Sequence, residues 1–453
     1  MTASNIFARI DDHVEAERRR LGIPGVALGI VCRSEVVHLS GFGIAHTSGR
    51  SVTPQTPFGI CSITKSFTAL AVMQLAEAGR LRLDTPAQEY LPWFTLRDSA
   101  ASAQITARHL LNQTSGIGTA DGNRFWSSPA DLEGAVRQMK SVRLRHPVGE
   151  VWQYSNVNYT ILGLMVERAS GQSYAAYVQD HIFGPLEMRH SYCVRDVARA
   201  DGMSDGYYFL LRHAIPRQGV FPPAYLPTGL LICSVEDMTH YAIAHLQSGR
   251  YRNALVLSAA GVAELHTPAA RATGGHYAMG WLVDHADGIT TIWHNGDVGI
   301  FHSAIILQPE GEWGVVLLAN ASGFQELLQV DQVARGVQEL LNDRHPKRAT
   351  LPVPFRLRYW ATVLTPVALL TGIIITLLHW LNGNANDAQR MILPALGSGA
   401  VGLFFLLGLS KILPFPLSSM RRFYPELGYS AFACGVLGIG FSVSYLLFRI
   451  LWP

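Results

Sequence analysis

Residues 58–67 read FGICSITKSF, and the interpretation of the whole chain starts from this stretch. It places Ser62 at the start of a predicted helix, residues 62–78, and Lys65 one turn later, so that hydroxyl and ammonium can lie on the same side. A serine hydroxyl is a poor nucleophile until a neighbour takes its proton, and an amine can do this when burial depresses its pKa. The N–H groups at the helix start would stabilise developing negative charge. The stretch therefore predicts Ser62 as a nucleophile and Lys65 as its proton-handling partner.

A second motif, Tyr154-Ser155-Asn156, lies in a loop punctuated by glycine and proline, just before a predicted helix. A phenol beside an ammonium can have its pKa lowered and act as a base, and a carboxamide can hold an amide or ester substrate. Taken alone, Tyr-x-Asn is common and is usually a capped turn. Its position between the two other motifs predicts a catalytic role for Tyr154 and a substrate contact for Asn156.

A third motif, His294-Asn295-Gly296-Asp297, ends one predicted strand and precedes another. Gly296 would let a substrate approach the backbone closely, and the N–H that follows it, that of Asp297, would join that of Ser62 in an oxyanion hole. His294 would supply a polar group beside the substrate. Taken alone, the motif is usually a strand-end turn with a satisfied histidine. In this order of motifs it predicts that His294, Gly296 and Asp297 bind substrate.

The pattern along residues 1–345 predicts a mixed α/β (α+β) fold in one domain. Residues Ile6, Ile10 and Val14 lie on one face of an amphipathic first helix, and a two-stranded hairpin follows with its turn near residues 33–35. Strand patterns return only after residue 277, and residues 80–230 between them are helical and rich in loops. This order predicts one antiparallel sheet built from both ends of the domain, flanked by helices and with a helical region inserted.

The three motifs resemble, in order and spacing, those of the serine β-lactamase and penicillin-binding-protein superfamily, and specifically its class C β-lactamase-like branch, peptidase family S12. The resemblance covers about residues 6–342. It extends to LRLDTPAQEYLP at 81–92, LLNQTSGI at 110–117, FGPLEM at 183–188, LLICSVEDM at 230–238, YAMGW at 277–281, and the run from residue 294 to 320.

The resemblance implies that Ser62 is acylated, that Lys65 and Tyr154 shuttle protons, and that Asn156 contacts the substrate. Two positions depart from the family pattern. His294 stands where the true lactamases carry the lysine of Lys-Thr-Gly, and a neutral imidazole binds a carboxylate less well than a fixed ammonium. We therefore expect a peptidase or esterase of the D-stereospecific type and not an efficient β-lactamase. Gln113 replaces a usual histidine, at a position that we expect to be structural.

The composition predicts that part of the chain lies in a membrane. Hydrophobic residues make up 49% of the sequence and charged residues 15%. Three uncharged segments, 361–381, 391–410 and 428–448, each contain roughly 20 residues, which is enough to cross a bilayer. We therefore expect a basic linker at 346–358 and a membrane domain at 359–453 with three transmembrane helices. No charged residue lies inside these segments, so they are interpreted as anchors and not as a transport path.

The side of the membrane is predicted differently by two criteria. The domain and the loop after the second segment carry most of the flanking Lys and Arg residues, which favours the cytoplasm, and the N-terminus shows no export signal. The family resemblance favours the extracytoplasmic side, because relatives act on cell-wall peptides or exported molecules. We expect an integral protein of the cytoplasmic membrane and give slight preference to the extracytoplasmic side.

Several classes of partner and cofactor are not indicated. The net charge is only +3, with four lysines and no clustered basic face, so nucleic acid is not an expected partner. The five cysteines have neither zinc-ligand spacing nor a disulfide pattern, and no motif requires a metal or an organic cofactor. The expected partners are a small-molecule or peptide substrate and the lipid bilayer.

Two further functional hypotheses stay open from the sequence. In one, the domain is a non-catalytic receptor or scaffold that binds a ligand, or is acylated by it, and signals through the helices. In the other, suggested by the similar architecture of certain membrane-bound peptidases, the protein removes an N-acyl-D-amino-acid segment from a prodrug. The presence of Ser62, Lys65 and Tyr154 together favours catalysis.

Overall fold

The structure, a computed structural model, describes residues 3–123, 130–286, 288–382, 392–409 and 424–451, together with residues 417, 420 and 421. It divides the chain into two compact units, Met1–Ala349 and Thr350–Pro453. All seven residues of the predicted site belong to the first unit.

The strands of the first unit form one large sheet and three small ones. In chain order they are β1 (Gly25–Cys32), β2 (Glu35–Gly43), β3 (Phe58–Gly59), β4 (Ser191–Tyr192), β5 (Tyr207–Leu210), β6 (His213–Pro216), β7 (Ile232–Cys233), β8 (Arg250–Tyr251), β9 (Ala254–Leu255), β10 (Ala270–Ala272), β11 (Gly275–Tyr277), β12 (Leu282–Ala286), β13 (Ile289–Asp297), β14 (His302–Gln308), β15 (Trp313–Ala319) and β16 (Ala321–Ser322).

The large sheet has eight antiparallel strands in the order β10-β11-β12-β13-β14-β15-β1-β2. Strand β1 pairs with both its hairpin partner β2 and the late strand β15, with Val26 opposite Ala319. The prediction of an antiparallel sheet built from both ends of the domain is therefore confirmed for the large sheet. The expectation that strands return only after residue 277 is wrong, because β4–β10 lie within residues 191–272 and most of them form small sheets of their own. The predicted hairpin turn is also confirmed, because Arg33 between β1 and β2 adopts a left-handed φ of 57°.

The helices cover both faces of the large sheet, and most of them occur in the chain between its N-terminal and C-terminal strands. They are α1 (Ala3–Leu21), α2 (Thr64–Glu77), α3 (Ser99–Ser102), α4 (Ala107–Leu111), α5 (Thr119–Gly122), α6 (Leu132–Arg137), α7 (Asn156–Ser170), α8 (Tyr174–Val178), α9 (Arg195–Ala200), α10 (Leu226–Gly229), α11 (Val235–Leu246), α12 (Ala259–Leu265) and α13 (Glu326–Leu341).

Alternate residues of the central strands pack against different helices. Leu28 of β1 joins Ile10 and Val14 of α1 and Val333 of α13 in one hydrophobic core cluster. On the opposite face, Gly29 leaves room for α11, whose side chains a methyl group at this position would overlap. The amphipathic face predicted for the first helix is therefore confirmed, and the period-2 pattern explains why both faces of the sheet are covered.

Helix α2 is buried on almost every side, and this explains its weak amphipathic pattern. Its residues from 64 to 73 are all buried, including the polar Lys65, Ser66 and Thr68. Ser66 and Thr68 satisfy their hydroxyl groups by donating to carbonyl oxygens of Ile63 and Pro227. The helix ends before Gly79, whose φ of 69° terminates it as the sequence predicts. A central helix of this kind carries a lysine into the protein interior.

The second unit contains three described apolar helices, Val353–Asn382, Ile392–Leu403 and Pro425–Leu451. Within them, Val353–Ile375 and Pro425–Leu447 are long and apolar enough to cross a membrane, whereas the apolar stretch Leu393–Gly408 is shorter. Two of the three predicted spans thus coincide with helices of sufficient length. The middle span, 391–410, extends to residues outside the described ones and stays a prediction.

The apolar helices of the second unit expose most of their surface and pack closely where glycines occur. Only 11% of the apolar window of Val353–Ile375 is buried, and 28% of that of Pro425–Leu447. A methyl group on Gly438 would lie 2.2 Å from the carbonyl oxygen of Ser398, and one on Gly402 would lie 2.9 Å from that of Gly435. Close approach through small residues is typical of helix pairs in membranes.

Candidate active site

The turn that carries Ser62 is held against strand β13. Ser62 lies in a short 3₁₀ turn, Cys61–Ile63, that leads directly into α2. Cys61 has a left-handed φ of 51°, a conformation that non-glycine residues seldom adopt. A methyl group on Gly296 of β13 would lie 2.6 Å from Cys61 Cβ and 2.7 Å from the carbonyl oxygen of Ile60. Only glycine therefore lets the strand approach the nucleophile turn this closely.

Lys65 lies one helical turn after Ser62 and faces it. Its Nζ is 3.1 Å from Ser62 Oγ and donates to the carbonyl oxygen of Thr228 at 2.6 Å. The side chain is fully buried, and this burial lowers the pKa of the amine well below its usual value. A neutral amine within hydrogen-bond distance of a hydroxyl can accept its proton. The predicted pairing of Ser62 with Lys65 is therefore present in the structure.

Tyr154 completes the group around Ser62, but its ionisation differs from the expectation. Its main-chain oxygen accepts from Thr119 Oγ1 at 2.7 Å, and Lys65 Nζ lies 4.9 Å from the centre of its ring. Burial raises the pKa of the phenol well above its usual value, and a hydrogen bond to Ser62 offsets only part of this. The expected lowering of its pKa is wrong, because the cost of burying a phenolate outweighs the contacts that favour it. Tyr154 is a neutral phenol that can donate a proton.

Asn156 presents one unused acceptor in the same group. It is the first residue of α7, and its Nδ2 donates to Asn123 Oδ1 at 2.7 Å. Its Oδ1 is buried and has no hydrogen-bond partner among the described residues. A buried amide oxygen without a partner is costly, and a ligand N–H can satisfy it. The placement is suited to the substrate contact that the sequence predicts.

His294 is an almost fully buried and neutral imidazole on β13. It is 2% exposed, its Nδ1 bonds to the carbonyl oxygen of Asn295, and its Nε2 lies 3.5 Å from the hydroxyl of Tyr277. Burial, aided by the charge of Lys65, lowers the pKa of His294 to about 3. With Nδ1 as the donor, Nε2 is left as an acceptor. The lowered pKa favours a neutral imidazole, as was expected when His294 was compared with the lysine that the true lactamases carry at this position.

The carboxylate of Asp297 is occupied by contacts at the end of β13. It accepts from the Gly299 N–H at 2.5 Å and from the hydroxyl of Ser322, and it lies 3.8 Å from His302 Nδ1. These contacts anchor the strand end. Asp297 can therefore contribute to substrate binding through its main-chain N–H. Its side chain stabilises the end of β13.

A buried imidazole behind β13 was missed by the sequence reasoning. His302 Nε2 lies 2.8 Å from Asp331 of α13, and the other carboxylate oxygen of Asp331 accepts from Asn295 Nδ2 at 2.6 Å. Burial alone would lower the pKa of His302, but Asp331 and Asp297 outweigh it and raise the pKa to about 9. His302 is thus a positioning residue for β13. Its partner Asp331 lies 29 residues away and gives no sequence signal.

Three aromatic rings surround the Lys65 amine and the His294 imidazole. The ring of Tyr277 packs edge-on against that of Tyr154 at 6.3 Å, and the ring of Tyr159 lies 5.7 Å from Lys65 Nζ. Tyr159 donates from its hydroxyl to the carbonyl oxygen of Leu111 at 2.8 Å. These rings exclude water, and this burial lowers the pKa values of Lys65 and His294 and raises that of Tyr154. Tyr277 begins the quoted motif YAMGW and Tyr159 follows Asn156 by three residues, but the sequence reasoning singled out neither.

Gln113 supports the loop that holds Tyr154. It is fully buried, and its Oε1 accepts from the Ser155 N–H at 2.9 Å and from Asn158 Nδ2 at 2.6 Å. The structural role expected for Gln113 is therefore confirmed.

Among the described residues, no group of three or more His, Cys, Asp or Glu side chains converges on a position where a metal ion would bind.

The first unit is similar to known proteins in sequence. A sequence model of the family described as Beta-lactamase matches residues 10–338. The chain is 29% identical over 315 residues to Protein flp of Staphylococcus aureus (strain MW2), covering 69% of this chain and 62% of flp. It is also 29% identical over 329 residues to Penicillin-binding protein 4 of Amycolatopsis lactamdurans, covering 69% of this chain and 85% of that protein. The chain thus spans less than two thirds of the length of flp.

Solved structures share the architecture. The octameric penicillin-binding protein homologue from Pyrococcus abyssi aligns with a TM-score of 0.68 and 27% identity, covering 79% of this chain and 81% of that one. The D-alanine carboxypeptidase AmpC from Burkholderia cenocepacia aligns with a TM-score of 0.65 and 22% identity, covering 76% of this chain and all of that one. At this lower identity, the second alignment demonstrates a shared fold.

Proposed function

This chain belongs to the β-lactamase family, whose model matches residues 10–338, and from this premise we propose that it hydrolyses a small peptide, amide or ester through an acyl-serine intermediate. Its relatives include a penicillin-binding protein and share their fold with a D-alanine carboxypeptidase. The observation that carries the proposal is the distance of 3.1 Å between the buried Lys65 Nζ and Ser62 Oγ.

The first half of the proposed reaction acylates Ser62. Lys65 takes the hydroxyl proton, and Oγ attacks the substrate carbonyl to give a tetrahedral oxyanion. The main-chain N–H groups of Ser62 and Asp297 stabilise that charge. When the intermediate collapses, the bond to the leaving group breaks and Tyr154 donates a proton to it. The raised pKa of Tyr154 suits this role, because a neutral phenol has a proton to give.

The second half releases the acyl group. A water molecule loses a proton to the phenolate of Tyr154, assisted by Lys65, and attacks the ester carbonyl. The ester bond to Ser62 Oγ then breaks, and the proton held by Lys65 returns to the serine. Each group ends in its starting protonation state, so the cycle needs neither a metal nor an organic cofactor.

An extended substrate can bind along an open strand edge. Strand β12 pairs with β13 only as far as Trp293, so residues 294–297 present an edge that β12 does not cover. A peptide can add to such an edge through main-chain hydrogen bonds. Asn156 Oδ1, which lacks a partner among the described residues, would accept an N–H from the same ligand. This arrangement supports a peptide or amide as the substrate class.

The neutral His294 supports the choice of peptidase or esterase over β-lactamase. A β-lactam carries a carboxylate beside its reactive carbonyl, and a buried imidazole whose pKa is about 3 supplies no positive charge to bind it. We accordingly assign the protein to the class C-like, D-stereospecific branch, family S12. Removal of an N-acyl-D-amino-acid segment from a prodrug is one reaction of this type, and a panel of N-acylated D- and L-amino-acid amides would test it.

We also propose that the second unit anchors the enzyme in a membrane. The support is the length, apolar character and exposure of Val353–Ile375 and Pro425–Leu447, and the third predicted span at 391–410 would complete the anchor. Alkaline carbonate extraction of membranes would test this, because an anchored chain stays in the pellet. Protease digestion of right-side-out and inverted vesicles would identify the side that carries the catalytic unit, for which the family favours the extracytoplasmic face.

The catalytic proposal is tested by intact-mass spectrometry of the full chain in detergent. The parent protein and Ser62→Ala are exposed to a fluorophosphonate and, separately, to a penicillin. We expect a fluorophosphonate adduct on the parent and none on Ser62→Ala. Little or no penicillin adduct is expected, because His294 carries no charge. A folded parent protein that forms no adduct with either reagent would refute the catalytic proposal.

Turnover separates the enzyme from a receptor that is merely acylated. The parent protein should release the alcohol of an activated ester in amounts well above one equivalent. Release that stops at one equivalent, with the acyl group still on Ser62, would instead support the receptor or scaffold hypothesis. Lys65→Ala should lower the rate about 100-fold or more, because the general base is removed.

A further inference from the structure

A cavity of about 740 Å³ lies beside the turn that follows β13. Ile300 and Phe301 of this turn form one wall, and the segments 46–50, 202–206 and 216–218 form others. None of the seven residues of the proposed catalytic site lines it. Its volume is in the range of small-molecule binding sites.

The lining of this cavity is strongly basic. Four arginines line it, Arg50, Arg195, Arg199 and Arg217. Asp205 is the one acidic residue among the lining residues that the structure describes, and it is already engaged. Its Oδ2 accepts from the N–H of Thr47 at 2.9 Å and from the Thr47 hydroxyl at 3.1 Å, and it lies 3.5 Å from His46 Nε2. Four guanidinium groups and one carboxylate leave three excess positive charges.

Contacts with a carbonyl group and aromatic rings hold two of the four guanidinium groups in place. Arg195 donates from Nη1 to the carbonyl oxygen of Gly219 at 2.8 Å and lies 4.5 Å from the centre of the Phe221 ring. Its Nε is buried and has no hydrogen-bond partner among the described residues. Arg217 lies 5.5 Å from the ring of Tyr208. These contacts orient the guanidinium groups of Arg195 and Arg217, and they leave the Nε donor of Arg195 unused among the described residues.

Two of the arginines repel each other. Arg195 and Arg199 are four residues apart on α9, where side chains lie on the same face of a helix. Burial, and then the charge of Arg199, lowers the pKa of the Arg195 guanidinium. Keeping like charges together beside a cavity destabilises the free protein, and a bound anion would relieve the repulsion.

We propose that this cavity, the arginine site, binds a small anionic molecule through carboxylate or phosphate groups and is a second ligand site of the protein. Guanidinium groups recognise both groups with paired N–H donors. The site is separate from Ser62 but close to it in the fold. The carbonyl oxygen of Phe301 accepts from the thiol of Cys61, the residue before Ser62, at 3.4 Å.

The test is calorimetric titration of the full chain in non-ionic detergent with three probes: citrate, inorganic pyrophosphate and the uncharged triethyl citrate. We expect saturable binding of at least one anion, weakened by added salt, and no binding of the neutral ester. Arg199→Ala and Arg217→Ala should each weaken this binding about fivefold or more. Both side chains are exposed, so these variants should fold. Arg143→Ala, which replaces an exposed arginine outside the cavity, is the matched control and should bind as the parent does.

Some outcomes would overturn the proposal. They are no saturable binding of either anion, equal binding of triethyl citrate, or unchanged binding by Arg199→Ala and Arg217→Ala. The relative affinities for citrate and pyrophosphate would identify the preferred anionic group. Ser62→Ala should bind the anion as the parent does. Anion binding and acylation are measured separately, so failure of the arginine site leaves the catalytic proposal untouched, and the reverse also holds.

Discussion

The buried imidazole of His302 leads to a prediction about stability that can be worked out from the structure. His302 lies between Asp331 of α13 and Asp297 at the end of β13 and is fully buried. The perturbation is His302→Gln, which removes the positive charge while keeping a polar side chain of similar length. The two carboxylates would then remain without the cation between them.

The expected magnitude follows from the pKa. A rise from 6.5 to about 9 corresponds to about 3 kcal/mol of extra stability for the folded protein. Because the folded-state pKa of His302 lies above the unfolded value, this contribution is fully present below pH 6.5. It is lost as the pH rises through about 9. Between these values the free energy of unfolding should fall by about 1.4 kcal/mol for each pH unit.

The assay is urea unfolding of the full chain in detergent at several pH values between 6 and 10, monitored by tryptophan fluorescence. The parent protein should lose stability from pH 6.5 to 9, and His302→Gln should start about 3 kcal/mol lower and change much less. His276→Gln, which replaces an exposed histidine on β11, is the control and should keep the slope of the parent. The reasoning is refuted if His302→Gln retains the full pH dependence, or if the parent shows none.

Two further predictions concern the residues around Ser62. Tyr154→Phe removes the proposed proton donor but keeps the ring that packs against Tyr277. Turnover of an amide should therefore fall about 100-fold or more, while the melting temperature changes little. A steady-state assay and a thermal melt would check this, and unchanged turnover would exclude the proposed role of Tyr154. Gly296→Ala places a methyl group 2.6 Å from Cys61 Cβ, so it should cost about 1–3 kcal/mol and slow acylation of Ser62, measured with the fluorophosphonate. Gly134→Ala on α6 should leave that rate unchanged, and equal rates for both glycine variants would contradict the packing argument.

The local sequence determined the parts of the site that depend on neighbours along the chain. Ser62 and Lys65 are three residues apart, so one turn of helix brings their side chains together whatever surrounds the helix. Tyr154 and Asn156 were identifiable because they lie at the junction between a loop and α7, which begins at Asn156. The position of His294 near the end of a strand was likewise visible in the alternation of the sequence.

The ionisation of these groups was not visible in the sequence, because it depends on burial. The phenol of Tyr154 was expected to have a lowered pKa beside a charged lysine. In the structure burial lowers the pKa of Lys65 and raises that of Tyr154. Both shifts favour the uncharged form of the side chain. The roles of base and acid follow from this environment.

Long-range contacts were equally inaccessible from sequence patterns. Lys65 bonds to the main-chain oxygen of Thr228, 163 residues away, and a main-chain carbonyl leaves no mark on residue type. The function of Asp297 also depends on such contacts, since Ser322 and His302 engage its carboxylate at the strand end.

The sequence by itself determined the fold class, the order of the motifs, the candidate nucleophile and its lysine, and the apolar character of the C-terminal unit, since periodicity, spacing and composition are local properties. Only the tertiary structure decided which groups burial shifts toward their uncharged forms, that Asn156 Oδ1 has no partner among the described residues, and that Gly296 packs against the turn that carries Ser62. Those properties arise when chain segments far apart in sequence exclude water from one another, and burial of that kind cannot be calculated before the segments have been brought together.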